Sequence, residues 1–192
     1  MRYHIVGIAG SLRQGSYNRA LLGAARELAP PALEISIHDL AGIPLFSEDV
    51  ERAGIPPAVT RLREAVKEAS GLLVATPEYN HGVPGVMKNA IDWLSRPPGR
   101  HVLNGKPAAI LGASPGLTGT ARAQSQLRQS LVFTNTLVML QPEALIAGAH
   151  DKFDAGGRLT DATTREFLGQ FLEAFAHWVG WLAERREWAA AS

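Results

Sequence analysis

IVGIAGSLRQGSYN, Ile5 to Asn18, decides how this chain is read. Ile5–Ala9 is a short apolar run ended by Gly10, the pattern of a buried strand. Ala20, Leu21, Ala24, Ala25 and Leu28 then recur at helical spacing over residues 18–28, and Pro30-Pro31 stops the helix. Between strand and helix lies a loop of small, hydroxylated, cationic and amide residues. A loop that opens a helix presents free backbone amides and the positive end of the helix dipole, which suits a phosphate.

Three kinds of phosphate loop compete for this stretch. A dinucleotide fingerprint requires G-x-G-x-x-G, and Gly7, Gly10 and Gly15 have the wrong spacing. A triphosphate loop requires Lys-Ser/Thr after its second glycine, where Ser16-Tyr17 stands, so the lysine that grips the outer phosphates is missing. The third is a loop for one terminal phosphate. Ser11, Ser16 and Asn18 each offer a donor, and Arg13 can pair with a dianion. A simple N-cap would account for Ser16 or Asn18 alone, but not for the four together.

Farther along, Leu33–Ile37 alternates as a second strand, and residues 39–57 read as a long loop rich in Gly and Pro. Val59, Leu62, Ala65, Val66 and Ala69 mark a second helix, and Leu72–Ala75 is a third strand broken by TPEYNHGVPG. Pro84 suits the first turn of a helix through Met87, Ala90, Ile91 and Leu94. Ala108–Gly112 is a fourth strand followed by ASPGLTGT, with a helix over about 121–132 and a fifth strand over Leu137–Leu140. Residues 148–157 read as a loop, and Thr163–Ala183 as a long helix with Phe167, Phe171, Phe175, Trp178 and Leu182 on its core side. Arg185 and Arg186 read as its solvated end.

Strands alternating with helices predict an α/β fold: a three-layer sandwich with a five-stranded parallel sheet covered on both faces. In the order 2-1-3-4-5, the loops after strands 1, 3 and 4 meet at the switch point beside strand 1. Those are the loops rich in Gly, Pro, Ser and Asn. The second, Pro77-Glu78-Tyr79-Asn80-His81-Gly82, suits a planar heterocycle, with backbone amides for its edge and an aromatic for its face; a structural turn stiffened by prolines is the plainer alternative. The third, around Ser114, Pro115 and Gly116, can close over the same ligand. A phosphate at one end and a planar edge-bound ring at the other describe a mononucleotide, and FMN fits this architecture best.

The bulk numbers narrow the classes. With 192 residues, one domain spanning 1–192 is expected. Hydrophobic residues make up 46% and charged residues 19%, ordinary for a globular chain. A net charge of +1 gives no field to gather nucleic acid or anionic membrane. Zero cysteines exclude disulfides, thiolate metal centres and a cysteine nucleophile. His101, His150 and His177 have no metal-ligand spacing, so no metal is expected. The N-terminus enters a strand at once, with no signal-peptide pattern and no span of membrane length, so a cytoplasmic location is expected. Asp39, after the second strand, fits a loop or capping role better than a ribose-binding one.

GSLRQGSYN, TPEYNHGVPGVMKNAIDWLSRP and GASPGLTGTARAQSQLRQ, in this order between about residues 3 and 148, resemble the NAD(P)H-dependent FMN reductase family, which includes chromate, quinone and azo-dye reductases. The resemblance implies a flavodoxin-like fold, bound FMN, and hydride transfer from NADPH or NADH to a small-molecule acceptor by a ping-pong mechanism. It places the phosphate on Ser11, Arg13, Gly15, Ser16, Tyr17 and Asn18. The ring falls on Pro77, Glu78, Tyr79, Asn80, His81 and Gly82, with a third contact at Ser114, Pro115 and Gly116. It also implies a homodimer, or a dimer of dimers, through the helix bearing Lys88, Asn89, Asp92 and Trp93 and through Arg122 and Glu143. Ser125 stands where some relatives carry a tyrosine. No side-chain nucleophile is needed; His81 is a secondary candidate for donating a proton to a quinone, since histidine exchanges protons near neutral pH. Rival readings keep much of the fold: a flavodoxin-type electron carrier without nicotinamide activity, a reductase that uses FMN as substrate, and a nicotinamide-binding module without flavin.

Overall fold

The computed structural model describes residues 1–191, and side chains for residues 1–185. Its centre is a parallel sheet of β1 (Tyr3–Ala9), β2 (Leu33–His38), β3 (Gly71–Ala75), β4 (Pro107–Ala113), β5 (Leu137–Val138) and β6 (Ala144–Ile146). The strand order is β2-β1-β3-β4-β5, with β6 paired to β4 beyond β5. This is the expected 2-1-3-4-5 order of a flavodoxin-like fold.

The side chains of each strand alternate between two cores, as a period of two requires. Ile5, Ala9, Leu73, Ala75, Ala109 and Leu111 meet helices α1 (Tyr17–Glu27) and α6 (Ala162–Ala191). Val6, Ile8, Leu72, Val74, Ala108 and Ile110 meet helices α3 (Pro57–Glu68), α4 (Gly85–Leu94) and α5 (Ala121–Phe133). β3 and β4 are buried throughout, which is why their sequences read as unbroken apolar runs. Phe171 and Phe175 on α6 are fully buried, each worth about 1.5–3 kcal/mol in transfer from water. Phe167 and Trp178 pack at the edge of that core, so the aromatic stripe is structural.

Several expectations need correction. The segment 39–57 is not all loop: Glu48–Ala53 forms the short helix α2, capped by Ser47, which accepts from Asp49 N at 3.2 Å. Glu48, Asp49 and Glu51 in its first turn favour the positive end of the helix dipole. Pro84 stands just before α4 rather than inside it. The fifth strand is split. Leu137 and Val138 pair with Pro107 and Ala108, and the chain rejoins β4 only at Ala144, opposite Leu111. Pro142, which has no backbone donor, lies in the gap and cannot extend the ladder. A 3-10 turn at Ala149–Asp151 interrupts the loop predicted over 148–157. Arg186 lies outside the residues whose side chains are described.

The helix expected at a subunit interface also differs. Asn89 is buried and accepts from Phe46 N at 2.8 Å while donating to Pro44 O at 2.9 Å. Trp93 is fully buried and donates its indole N–H to the same Pro44 carbonyl. These two side chains fasten the 39–57 segment onto α4 and are unavailable to a partner. Lys88 and Asp92, paired along the helix at 2.6 Å, remain at its surface.

Candidate functional site

The loops after β1, β3 and β4 converge at the carboxyl edge, where β1 lies between β2 and β3. Direct bonds tie them together. Ser11 Oγ lies 3.2 Å from Tyr79 Oη, joining the first loop to the second. Asn18 Nδ2 donates to Ala113 O at 2.8 Å, and Asn18 Oδ1 accepts from Ala113 N at 2.9 Å, joining the start of α1 to the end of β4. Glu78 Oε2 accepts from Arg122 N at 2.9 Å and Ala123 N at 3.1 Å, joining the second loop to the start of α5. Gly112 permits this convergence: a Cβ there would collide with Thr120 Oγ1 and the Thr76 carbonyl.

In the first loop, Ser11 and Ser16 are buried, while Arg13 and Gly15 are exposed. Ser16 is the N-cap of α1 and accepts from Arg19 N at 3.4 Å, so the capping alternative is realised. Its hydroxyl hydrogen has no protein acceptor among the described residues, which leaves it free to donate as well. The Arg13 guanidinium lies 5.7 Å from the centre of the half-buried Tyr17 ring. The backbone amides of Leu12, Arg13, Gly15 and Tyr17 have no protein acceptor among the described residues. A Cβ at Gly15 would stand 3.3 Å from Arg13 Nη1, narrowing the space beside the cation. Asn18 requires correction as an open donor. Both ends of its carboxamide hold Ala113, and the residue is 2% exposed.

The second loop is a tight hairpin. Tyr79 N donates to Gly82 O at 3.1 Å and Gly82 N to Tyr79 O at 3.0 Å. The two central residues, Asn80 and His81, both take positive φ, 50° and 62°. This is the backbone signature of a type I′ turn, and Asn and His tolerate the left-handed region better than most residues. The turn leaves the amides of Asn80 and His81 without a protein acceptor among the described residues. Tyr79 is 51% exposed, so it is not the packed residue that a purely structural turn would hold. Pro77 is buried at the base, Gly82 is half-buried, and His81 is exposed. The Glu78 side chain caps α5 rather than facing the opening, with Arg122 Nη1 3.5 Å from its other oxygen.

The third loop is held by β6 and the residues after it. Ser114 N donates to Ile146 O at 2.9 Å, Ala149 N to Ser114 O at 3.0 Å, and Gly116 N to Ser114 Oγ at 3.1 Å. Pro115 and Gly116 are exposed beyond this anchor. Two supports were not found from sequence. Gln126 Oε1 accepts from Val83 N at 2.7 Å and bolsters the hairpin. The 154–157 turn flanks the first loop around a hollow of about 540 Å³ lined by Gln14 to Tyr17 on one side. Neither carries a local sequence signal, because each acts through a neighbour distant in the chain. Asp39 takes the loop role expected of it: Oδ1 accepts from Ala41 N at 2.9 Å. Among the described residues no cluster of three or more potential metal ligands occurs.

The donor set fits FMN. Buried hydroxyls, free amides at a helix start and an arginine suit its phosphate, and the unbonded amides of a rigid turn suit the edge of its ring system.

Comparison with known proteins follows the same outline. Residues 3–151 match the family model described as NADPH-dependent FMN reductase. The chain is 54% identical to an NAD(P)H-dependent FMN reductase of Pseudomonas aeruginosa, over 91% of this chain and 94% of that protein. It is 41% identical to a 2-hydroxy-1,4-benzoquinone reductase of a Burkholderia species, over 93% of this chain and 97% of that one. Among solved structures, the flavoenzyme NAD(P)H:(acceptor) oxidoreductase FerB from Paracoccus denitrificans superposes with a TM-score of 0.85 at 38% identity, covering 93% of this chain and 97% of FerB.

Proposed function

The chain belongs to the NADPH-dependent FMN reductase family, and from that premise we propose which of its residues carry the family's chemistry. The protein is an FMN-dependent NAD(P)H oxidoreductase that reduces quinones. Bound FMN supplies the redox chemistry: it accepts hydride from a nicotinamide and returns electrons to an acceptor.

The protein's part is binding, orientation and electrostatics. Ser11, Ser16, Arg13 and the amides of Leu12, Gly15 and Tyr17 hold the phosphate, with the start of α1 adding its dipole. The amides of Asn80 and His81, preset by the turn, stabilise negative charge at the ring edge as oxyanion-hole donors do. Ser114 and Gly116 close the third side. Tyr79, exposed at the mouth, orders the opening through which the nicotinamide and then the acceptor enter. Turn-taking at one opening gives ping-pong kinetics. His81 is exposed beside this mouth, placed to pass a proton to a quinone oxygen. Glu78 and Asn18 position the loops and touch neither substrate.

The observation that carries this reading is the joining of the first and second loops at Ser11 and Tyr79 while both keep unbonded amides. Anaerobic addition of NADPH to the purified yellow protein tests it. Loss of the visible flavin band, restored by a quinone, is expected. A coloured protein that NADPH and NADH both fail to bleach would instead be an electron carrier, and loss of colour on gel filtration would mark FMN as a substrate.

The same reading includes a homodimer and a cytoplasmic location. Lys88, Arg122 and Glu143 are exposed and Asp92 half-buried, with Val132 and Phe133 of α5 exposed as well, the latter at 92%. Among the described residues no helix is long and apolar enough to cross a membrane.

A further inference from the structure

On the side of β1 away from β3, a hollow of about 310 Å³ opens between α1 and the carboxyl end of β2. Ser11, Arg19, Gly23, Arg26, His38 and Asp39 line it. Arg19 and Arg26 are seven residues apart, two turns along one face of α1. Gly23 stands between them with nothing within 4 Å of where a Cβ would lie, so the wall between the two cations is bare. Arg19 Nη2 pairs with Asp39 Oδ2 at 3.3 Å, whereas Arg26 has no ion pair among the described residues. The single carboxylate leaves one guanidinium uncompensated. Burial and the neighbouring His4 hold the His38 imidazole below its ordinary pKa, so it adds a neutral polar group rather than a third cation.

The hollow adjoins the site already described. Ser11 lines it and also touches Tyr79 Oη at 3.2 Å. From there its lining continues along α1 from Arg19 to Arg26, seven residues and hence roughly 10 Å of helix axis. A nicotinamide dinucleotide has this form: a planar ring at one end and, in NADPH alone, a phosphomonoester on the distal ribose. Guanidinium groups grip phosphate through paired, charge-assisted bonds, and an uncompensated one gains most from a dianion.

We propose that this hollow seats the 2′-phosphate of NADPH, held by Arg26 and Arg19, and so makes the protein prefer NADPH to NADH. This rests on the reading that the nicotinamide enters beside Tyr79.

Calorimetric titration of the FMN-loaded protein with 2′,5′-ADP, 5′-AMP and inorganic phosphate tests the seat without turnover. The expected result is at least about tenfold tighter binding of 2′,5′-ADP than of 5′-AMP, equivalent to one charge-assisted contact. Arg26→Gln should erase that difference, with FMN content checked by absorbance, and should lower the ratio of NADPH to NADH kcat/KM by about tenfold. Asp39→Asn, which frees Arg19, should raise the preference for 2′,5′-ADP. Equal affinities for the two nucleotides in the parent protein would overturn the proposal, as would an Arg26→Gln protein that melts earlier but keeps its preference, since Arg26 would then serve only the helix end. Inorganic phosphate binding alone would make the hollow a free-anion site and equally overturn it. If neither nicotinamide bleaches the flavin, the enzymatic reading fails separately, and the fragment titrations still judge the seat.

Discussion

Arg13 rests over Tyr17 at the rim of the first loop and has no ion pair among the described residues. Its cation is therefore available to an incoming phosphate. Arg13→Ala removes a charge-assisted bond worth about 1.5–3 kcal/mol, so the FMN dissociation constant should rise between about tenfold and a hundredfold, read from quenching of flavin fluorescence. No change would leave the grip to backbone amides and serines. His38 makes a prediction about pH. Its imidazole is held below the ordinary 6.5 chiefly by burial, and secondarily by His4, to which Ser36 links it. The unfolded chain therefore takes up this proton more readily than the folded one. Above pH 6.5 both states are neutral and the group has no effect; below it, stability falls until the folded pKa is passed. Urea titrations at a series of pH values should show a shallower acid decline for His38→Gln than for the parent, and parallel declines would discard the assignment. Residue chemistry was legible at Ser11 and Arg13, whose types suit the anion site proposed for the first loop. It was not legible at Asn18 or Glu78, whose partners were chosen by the fold.

The starts of α1 and α5 are secured by different means. α1 carries its own cap, Ser16, whereas Thr120 before α5 makes no side-chain cap, and Glu78 from the second loop takes that place. Glu78→Ala leaves the first amides of α5 without their carboxylate and should cost about 1–2 kcal/mol, seen as a lower melting temperature with or without flavin. If stability holds and only flavin affinity drops, the carboxylate belongs to the ligand and not to the helix. Element types followed from sequence wherever periodicity was strong, as in α1, α3, β3 and β4. The short helix α2 was legible in principle from Ser47 and the acidic residues after it, but its six residues are too few to show a periodic face. β6 was missed because three residues after a proline leave no pattern to detect.

The whole molecule is an open sheet with the proposed flavin site at one edge, and its assembly is the part most open to test. Light scattering after gel filtration should give twice 20.6 kDa for a homodimer. Phe133→Asp should shift the mass toward the monomer if the exposed end of α5 lies in the contact; a dimer unmoved by that change would place the interface elsewhere. Apolar runs alternating with amphipathic segments were enough to specify a parallel α/β sandwich, because burial selects element and face through spacing of 2 or 3.6 residues alone. The polar residues between them mark the loops to which the mononucleotide is proposed to bind. What only the tertiary structure decided is which of those groups remain open to it. Asn18 finds Ala113 across 95 positions and Glu78 reaches α5 across 44. A hydrogen bond between such distant residues has no local periodicity to reveal it; it exists only once the sheet has brought the loops within 3 Å of each other.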